Sequence, residues 1–188
     1  MKKAVLIFIS VYFLVFASSA FAGDYFTAKI GPYFPEESFL DTGFNIEGAY
    51  GLDLYNMTGI ENLALEFGLG YYTASGDGYD LGYKIDIDLD VISVTTTAVY
   101  TLDLGGPFSL FGGGGLGLYY AMAEAKESHP IIGTYKDDNS ELELGLHLVG
   151  GGRLQLNKQI DLTTELKYVA VSDDIGGVFL NFGVKFNF

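Results

Sequence analysis

Among the 188 residues of this sequence, His147 and Glu143 form a pair whose types and spacing could support general-base catalysis. On one face of a strand, a carboxylate could orient the imidazole as a general base. A lipid-modifying hydrolase would also need a serine, and no serine is close to His147 in the sequence. We therefore expect a buried, hydrogen-bonded histidine. No catalytic residue is predicted, so the protein is not expected to be an enzyme.

Two further stretches match known ligand-binding loops only in part. Asp86, Asp88 and Asp90 have the spacing that opens a calcium loop, but the following glycine and the distal glutamate are absent. The four glycines at 112–115 are not followed by the Lys-Ser/Thr and helix of a phosphate-binding loop. A solvated strand end explains the aspartates better, and either close strand packing or clearance in the lumen explains the glycines. We expect neither a metal site nor a cofactor.

The elements that must position these residues are β-strands. Apolar and polar residues alternate along most of the chain after residue 22, and a period of two gives a strand one apolar face. Eight such segments occur, at 24–34, 43–52, 63–73, 85–100, 108–125, 141–156, 160–172 and 177–188. The stretches 74–84 and 126–140 are predicted to be loops because of their turn-forming or polar residues.

The fourth segment changes its apolar face near residues 90–92. Before this point Leu89 and Val91 lie on the apolar face, and after it Ile92 and Val94 do. Because a shift of one residue exchanges the two faces, the pattern predicts either a β-bulge or a strand that leaves a bilayer at that height.

Eight antiparallel strands can close into a barrel without free edges. The apolar face would point inward in a soluble barrel and outward in a membrane barrel. An eight-stranded interior is only just wide enough for side chains, so it could not hold the many leucines and aromatics of the apolar face. The opposite face is rich in glycine, alanine and threonine. The prediction is an all-β protein, an eight-stranded antiparallel up-and-down transmembrane β-barrel.

The inward face of this barrel carries charges, and a charge in a confined interior is costly unless it is paired. Assuming that the amino-terminus lies on the inner side of the membrane, we predict one salt-bridged lumen network in which Glu47, Glu141 and Glu143 lie nearer the outer mouth. Its members are Lys29, Glu47, Glu66, Glu141, Glu143, His147, Arg153, Glu165, Lys167 and Lys185. Aromatic residues at the two membrane interfaces are expected as well. They are Phe26, Phe34, Phe44, Tyr71, Tyr100, Phe186 and Phe188.

Residues 1–22 are predicted to be a cleaved signal peptide, with a basic start, an apolar stretch and a small-residue cleavage site. The mature chain, 23–188, would form the barrel domain. Without Lys2 and Lys3 it has 8 basic and 24 acidic residues, a formal charge of −16, and it contains no cysteine. This excludes a disulfide framework and argues against nucleic acid. An acidic exterior beside lipopolysaccharide would favour bridging divalent cations.

The signal peptide, the alternating segments, the stretch FSLFGGGGLGLYY at 108–120 and the terminal Phe188 resemble the small outer-membrane β-barrel family. That family includes OmpA-type transmembrane domains, OmpX-type proteins and opacity-type proteins. The resemblance implies a location in the cell outer membrane of a Gram-negative envelope. It also implies contact with outer-membrane lipid and lipopolysaccharide, and insertion by the assembly machinery that reads a C-terminal strand ending in phenylalanine. We expect a monomer.

Three functions are compatible with these patterns. The first is a structural or surface-interaction barrel whose lumen is plugged by its ion pairs. The second is a narrow porin-like channel for ions or small solutes. The third is an outer-membrane lipid-modifying enzyme, which would need a nucleophile and base that the sequence does not place together.

Overall fold

A computed structural model of the protein describes residues 23–80, 83–129, 133–171 and 175–188. The predicted signal peptide lies outside the described residues and stays a prediction. The strands are β1 (Tyr25–Pro35), β2 (Gly43–Asp53), β3 (Leu63–Asp80), β4 (Tyr83–Asp103), β5 (Phe108–His129), β6 (Gly133–Gln155), β7 (Ile160–Val171) and β8 (Gly177–Asn187). A short helix, α1 (Tyr55–Thr58), connects β2 to β3. None of the helices in the described part of the chain has the length and apolar character needed to span a bilayer.

Each strand pairs antiparallel with the next along the chain, and β1 pairs with β8 to close the barrel. The closing register runs from Tyr25 opposite Asn187 to Pro35 opposite Gly177. The predicted eight-stranded antiparallel up-and-down barrel is therefore confirmed.

Side chains alternate between the interior and the outer surface of the barrel. In β7, polar residues such as Thr163 and Glu165 are buried, whereas Leu162 and Leu166 are exposed. Leu148 in β6 is 64% exposed. Because a leucine side chain gains about 1.5–3 kcal/mol on leaving water, a surface of this kind is stable only against an apolar solvent such as lipid.

Four strands are much longer than the bilayer requires. β3 to β6 contain 18 to 23 residues, whereas β1, β2, β7 and β8 contain 11 or 12. The β2–β3 pairing ends at Phe44 opposite Thr73, and the β6–β7 pairing ends at Gly145 opposite Val171. Beyond these points β3 to β6 continue as a four-stranded sheet, here called the protruding sheet, which comprises residues 74–80, 83–91, 121–129 and 133–144.

The prediction of loops at 74–84 and 126–140 is therefore wrong for the described residues of these stretches. Gly78 pairs with Ile85, and Lys126 pairs with Lys136, within uninterrupted ladders. Glycine and aspartate weaken a strand locally, but the backbone hydrogen bonds to the neighbouring strand outweigh that weak preference.

The predicted β-bulge near residues 90–92 is also absent. The pairing of β4 with β3 runs without a skipped residue from Tyr100 to Tyr83. The alternative prediction explains the sequence, since β4 leaves the bilayer at this height. Leu89 and Val91 point inward and are buried, while Asp88 on the outward face is exposed. The solvent outside the barrel changes from lipid to water, and the apolar face changes sides with it.

We expect Leu166→Arg, near the middle of β7, to destabilise the barrel by about 2–4 kcal/mol, because it places a charge on the lipid face. The measurement is reversible urea unfolding in lipid vesicles. Ser75→Arg, on the outward face of the protruding sheet, is the control, with an expected change within about 0.5 kcal/mol. Equal effects of the two substitutions would show that the outer face at Leu166 does not meet lipid.

The charged interior as candidate functional site

A cluster of four charged side chains lies in the middle of the barrel. Lys29 Nζ is 2.7 Å from Glu47 Oε1 and 2.9 Å from Glu165 Oε2. Lys167 Nζ is 2.6 Å from Glu47 Oε2. Lys29 is only 4% exposed and Glu165 only 2%. We call these residues the central ion cluster. Its two ammonium groups and two carboxylates balance in charge, as burial requires.

The strand register explains how the central ion cluster forms. Lys29 lies directly opposite Glu47 in the β1–β2 pair. Glu165 lies opposite Asn181 in the β7–β8 pair, and Asn181 Nδ2 donates to Glu165 Oε1 at 3.0 Å. Glu47, expected nearer the outer mouth, is therefore level with Lys29 and inside the cluster. The contact from Lys29 to Glu165 passes over β8, so it depends on barrel closure.

A second group of charges lies nearer the end of the barrel that carries Gly23 and Phe188. Arg153 Nη2 is 3.5 Å from Glu66 Oε1, and Tyr25 donates a hydrogen bond of 2.6 Å to the same oxygen. Arg153 also donates to Thr101 Oγ1 at 2.9 Å. Its guanidinium carbon lies 4.4 Å from the ring centre of Phe111, a cation–π contact.

Lys185 lies beside this second group. Its Nζ is 3.9 Å from Asp161 Oδ2 and 3.9 Å from the ring centre of Tyr25. The interior charges thus form successive paired layers along the barrel axis.

His147 is buried, with 2% exposure, and its Nε2 lies 2.7 Å from Thr97 Oγ1. A hydroxyl and an imidazole at this distance have the spacing that nucleophilic catalysis uses. Both side chains are buried inside the barrel wall. Nothing in the sequence marked Thr97 as the partner, because the two residues are 50 positions apart.

The other two members of the predicted network, Glu141 and Glu143, lie higher in β6, where the inward side chains are more exposed. Glu141 is exposed on the protruding sheet and accepts a hydrogen bond of 3.0 Å from Asn139 Nδ2. Glu143 is half-buried just below it. The physical reason is that β6 has already passed the end of β7 at this height, so no barrel wall faces Glu141 there.

An aromatic layer lies above the central ion cluster. The ring centres of Tyr33, Tyr72 and Phe179 are 4.6 to 5.0 Å apart. Tyr33 donates to the carbonyl of Gly176 at 3.0 Å, and Tyr72 donates to that of Ile175 at 3.0 Å. The alternation of the sequence did not predict this layer. The sequence feature that could have indicated it is a tyrosine at an inward position near the outer end of both β1 and β3.

The seven aromatic residues proposed for the membrane interfaces lie on the outward face. At the barrel end that bears the protruding sheet are Phe34, Phe44 and Tyr71, and at the other end are Phe26, Tyr100, Phe186 and Phe188. Six are exposed and Phe26 is half-buried. Tyr71 donates a hydrogen bond of 2.5 Å to Asp90, on the same outward face.

Lys126, Glu124 and Asp88 on the protruding sheet form a solvent-accessible group of charges. Lys126 Nζ lies 2.8 Å from Glu124 Oε1 and 3.5 Å from Asp88 Oδ2. The hydrogen bond to Glu124 and the charge of its carboxylate raise the pKa of Lys126. No group of three or more His, Cys, Asp or Glu suited to a metal ion occurs in the described ranges.

The glycine run at 112–115 has two roles because its members alternate between the faces. A Cβ on Gly115 would lie 2.8 Å from His147 Nε2 and would also collide with the Thr96 carbonyl. A Cβ on Gly113 would likewise collide with the backbone of Ala98. On the outward face, a Cβ on Gly112 would meet only the Val149 carbonyl, at 3.8 Å. Close approach of the β4 backbone therefore accounts for Gly113 and Gly115, and the ring of His147 in the lumen adds to the restriction at Gly115.

A closed eight-stranded antiparallel barrel with an apolar exterior and a charged, paired interior defines a small integral outer-membrane β-barrel protein. The outer membrane protein beta-barrel domain family matches residues 4–188, and the chain belongs to this family. Its location is accordingly the cell outer membrane.

Solved structures of other outer-membrane proteins share the fold. Neisserial surface protein A is similar with a TM-score of 0.58 at 18% identity, covering 89% of this chain and 98% of its own. The attachment invasion locus protein Ail of Yersinia pestis follows with 0.55 at 15%, covering 89% and 100%. A major outer membrane protein of Thermus thermophilus gives 0.51 at 18%, covering 88% and 99%. At these identities the likeness shows the fold alone. No curated protein matches the sequence.

We expect Lys29→Met to cost about 3–5 kcal/mol of unfolding free energy, because it leaves two buried carboxylates facing a single ammonium group. Urea unfolding in vesicles measures the cost. Lys126→Met removes an exposed ion pair and is the matched control, with no measurable loss of stability expected. Comparable costs for both variants would contradict a central cluster that depends on its charge balance.

Gly115→Ala should destabilise the barrel by about 1–3 kcal/mol, since the added methyl group collides with the Thr96 carbonyl and with His147. Gly112→Ala, on the outward face of the same strand, should change stability by less than about 0.5 kcal/mol. The measurement is the urea concentration at the midpoint of unfolding. The two variants are compared on condition that their unfolding free energies depend equally on urea concentration. A larger loss from Gly112→Ala would reverse the assignment of faces.

Proposed function

We propose that this outer-membrane barrel has a structural or surface-interaction role and that its lumen is closed to free diffusion. The observation that carries the proposal is the central ion cluster, in which Lys29, Glu47, Glu165 and Lys167 contact one another at 2.6 to 2.9 Å. These residues come from β1, β2 and β7, so the contacts cross the interior from one part of the wall to another. A permeating ion would have to displace several desolvated pairs at once.

The space above the central ion cluster supports the same proposal. A cavity bounded by Glu47, Lys167, Tyr72 and Tyr119 has a volume of only about 10 Å³. A single water molecule needs about 10–15 Å³, so a hydrated ion does not fit. The aromatic layer of Tyr33, Tyr72 and Phe179 lies against this cavity. The alternative function, a narrow porin-like channel, would require both layers to move.

The protruding sheet favours interaction at the cell surface over a purely internal role. It extends beyond the height at which β1, β2, β7 and β8 end. Among the described residues, positions 133–144 of β6 pair only with β5, so one edge of the backbone is open to a partner. An open strand edge is a common place for another chain to add hydrogen bonds.

The remaining partners belong to the same proposal. Lipid and lipopolysaccharide contact the apolar outer face, and the assembly machinery reads β8 with its terminal phenylalanines. The protein acts as a monomer. An enzymatic role has no support in the geometry, because the Thr97–His147 pair is enclosed.

We expect no stable unitary conductance when the folded protein is reconstituted in planar bilayers, because the ion pairs and aromatic rings fill the lumen. The measurement is single-channel recording at neutral pH, with a known porin added afterwards to the same bilayer as a positive control. Well-resolved unitary openings before that addition would overturn the closed lumen and favour the channel.

A further inference from the structure

An apolar cleft opens at the outer mouth, above the aromatic layer. It has a volume of about 250 Å³ and lies on the concave side of the protruding sheet. Ile87, Leu89 and Ala123 form its sheet side, and Phe39 and Ile175 form the side of the connecting segments. Phe39 is 47% exposed although it lies in the segment between β1 and β2, above the lipid-facing surface. We call this feature the outer cleft.

The floor of the outer cleft consists of buried apolar residues. Leu89, Ala121 and Ile175 are buried and belong to the apolar cluster that also contains Tyr72 and Tyr119. The cleft is therefore closed below and open toward the medium. Water inside it would face hydrocarbon on most sides, and a bound apolar group would replace that water favourably.

The rim of the outer cleft is polar and carries a negative charge. Asn139, Ser140 and Glu141 form it at the open edge of β6. Asn139 Nδ2 donates to Glu141 Oε1 at 3.0 Å, and the Ser140 N–H donates to Asn139 Oδ1 at 2.9 Å. These bonds hold the carboxylate at the rim. Among the described residues that line the cleft, Glu141 is the only charged one.

Size and charge together select the occupant. A cavity of about 150 Å³ lined by aliphatic side chains holds benzene, so the outer cleft has room for one aromatic ring with a short alkyl chain. The carboxylate of Glu141 would repel the head group of an anionic lipid, and the whole chain carries a formal charge of −14. A positive group beside Glu141 would instead be attracted.

We propose that the outer cleft binds a small cationic amphipath, with its ring or alkyl chain between Phe39, Leu89 and Ala123 and its ammonium group beside Glu141. This inference goes beyond the structural or surface role and does not depend on whether the lumen conducts, because the cleft lies above both closing layers.

The test compares two probes with the same carbon skeleton and opposite charges, 4-phenylbutylammonium and 4-phenylbutyrate. Each is titrated calorimetrically at neutral pH into the full protein in phosphatidylcholine nanodiscs, and the heat with empty nanodiscs is subtracted. We expect saturable 1:1 binding of the cation and at least fivefold weaker binding of the anion. Equal binding of the two probes, or no saturable binding of the cation, would overturn the proposal.

Two variants locate the site. Glu141→Gln keeps the shape of an exposed side chain and should weaken binding of the cation by about fivefold, the size of an exposed ion pair. Ala123→Phe fills the cleft and should abolish binding, with β-sheet circular dichroism as the check on folding. Glu124→Gln, the next residue but on the outward face, is the control and should leave binding unchanged. Unchanged binding in both Glu141→Gln and Ala123→Phe would place the probe elsewhere and refute the assignment.

Discussion

The bilayer core offers no water to satisfy backbone N–H and C=O groups, and the whole structure depends on that constraint. A sheet can meet it only by closing on itself, and here closure is the β1–β8 pairing. Closure of eight strands then sets a narrow interior. Apolar side chains must consequently lie outside against lipid, and the polar side chains that remain must satisfy one another inside. The central ion cluster follows from closure and does not cause it.

The interior is layered because its surroundings differ along the axis. At the height of the lipid, inward residues are charged and paired, as in the contacts of Lys29 with Glu47 and Glu165. Where water replaces lipid outside, inward residues become apolar, as with Leu89, Val91 and Tyr119. A single strand, β4, carries both kinds of inward residue, and its pairing register has no break. Each face of the wall is thus complementary to what it meets, and the upper part packs like the core of a soluble protein.

Alternation in the sequence was sufficient to predict eight strands, their faces and the closed barrel, because the period of two is a local property. Strand length was not predictable for β3 to β6. Residues 74–80 of β3 contain turn-forming glycines and aspartates and stay extended by pairing with β4 alone, because the pairing with β2 ends at Thr73. The alternation of inward and outward positions along each strand was enough to predict which residues lie inside the lumen. It did not predict which of these residues contact one another. The contacts between Lys29 and Glu165 and between Thr97 and His147 depend on how the sheet is staggered when it closes. The outer cleft depends on the connecting segments, which carry no periodic signal.

The unequal strand lengths also give the molecule a direction within the plane of the membrane. Long strands stand above the bilayer on the side of β3 to β6, whereas the wall on the side of β7, β8, β1 and β2 ends near its surface. A solute that diffuses along the membrane surface from the side of β7, β8, β1 and β2 reaches the mouth directly. A solute that arrives from the side of β3 to β6 meets the outward face of the protruding sheet first. Encounter with the mouth is therefore anisotropic, and neighbouring proteins crowded against the low side would shield it most.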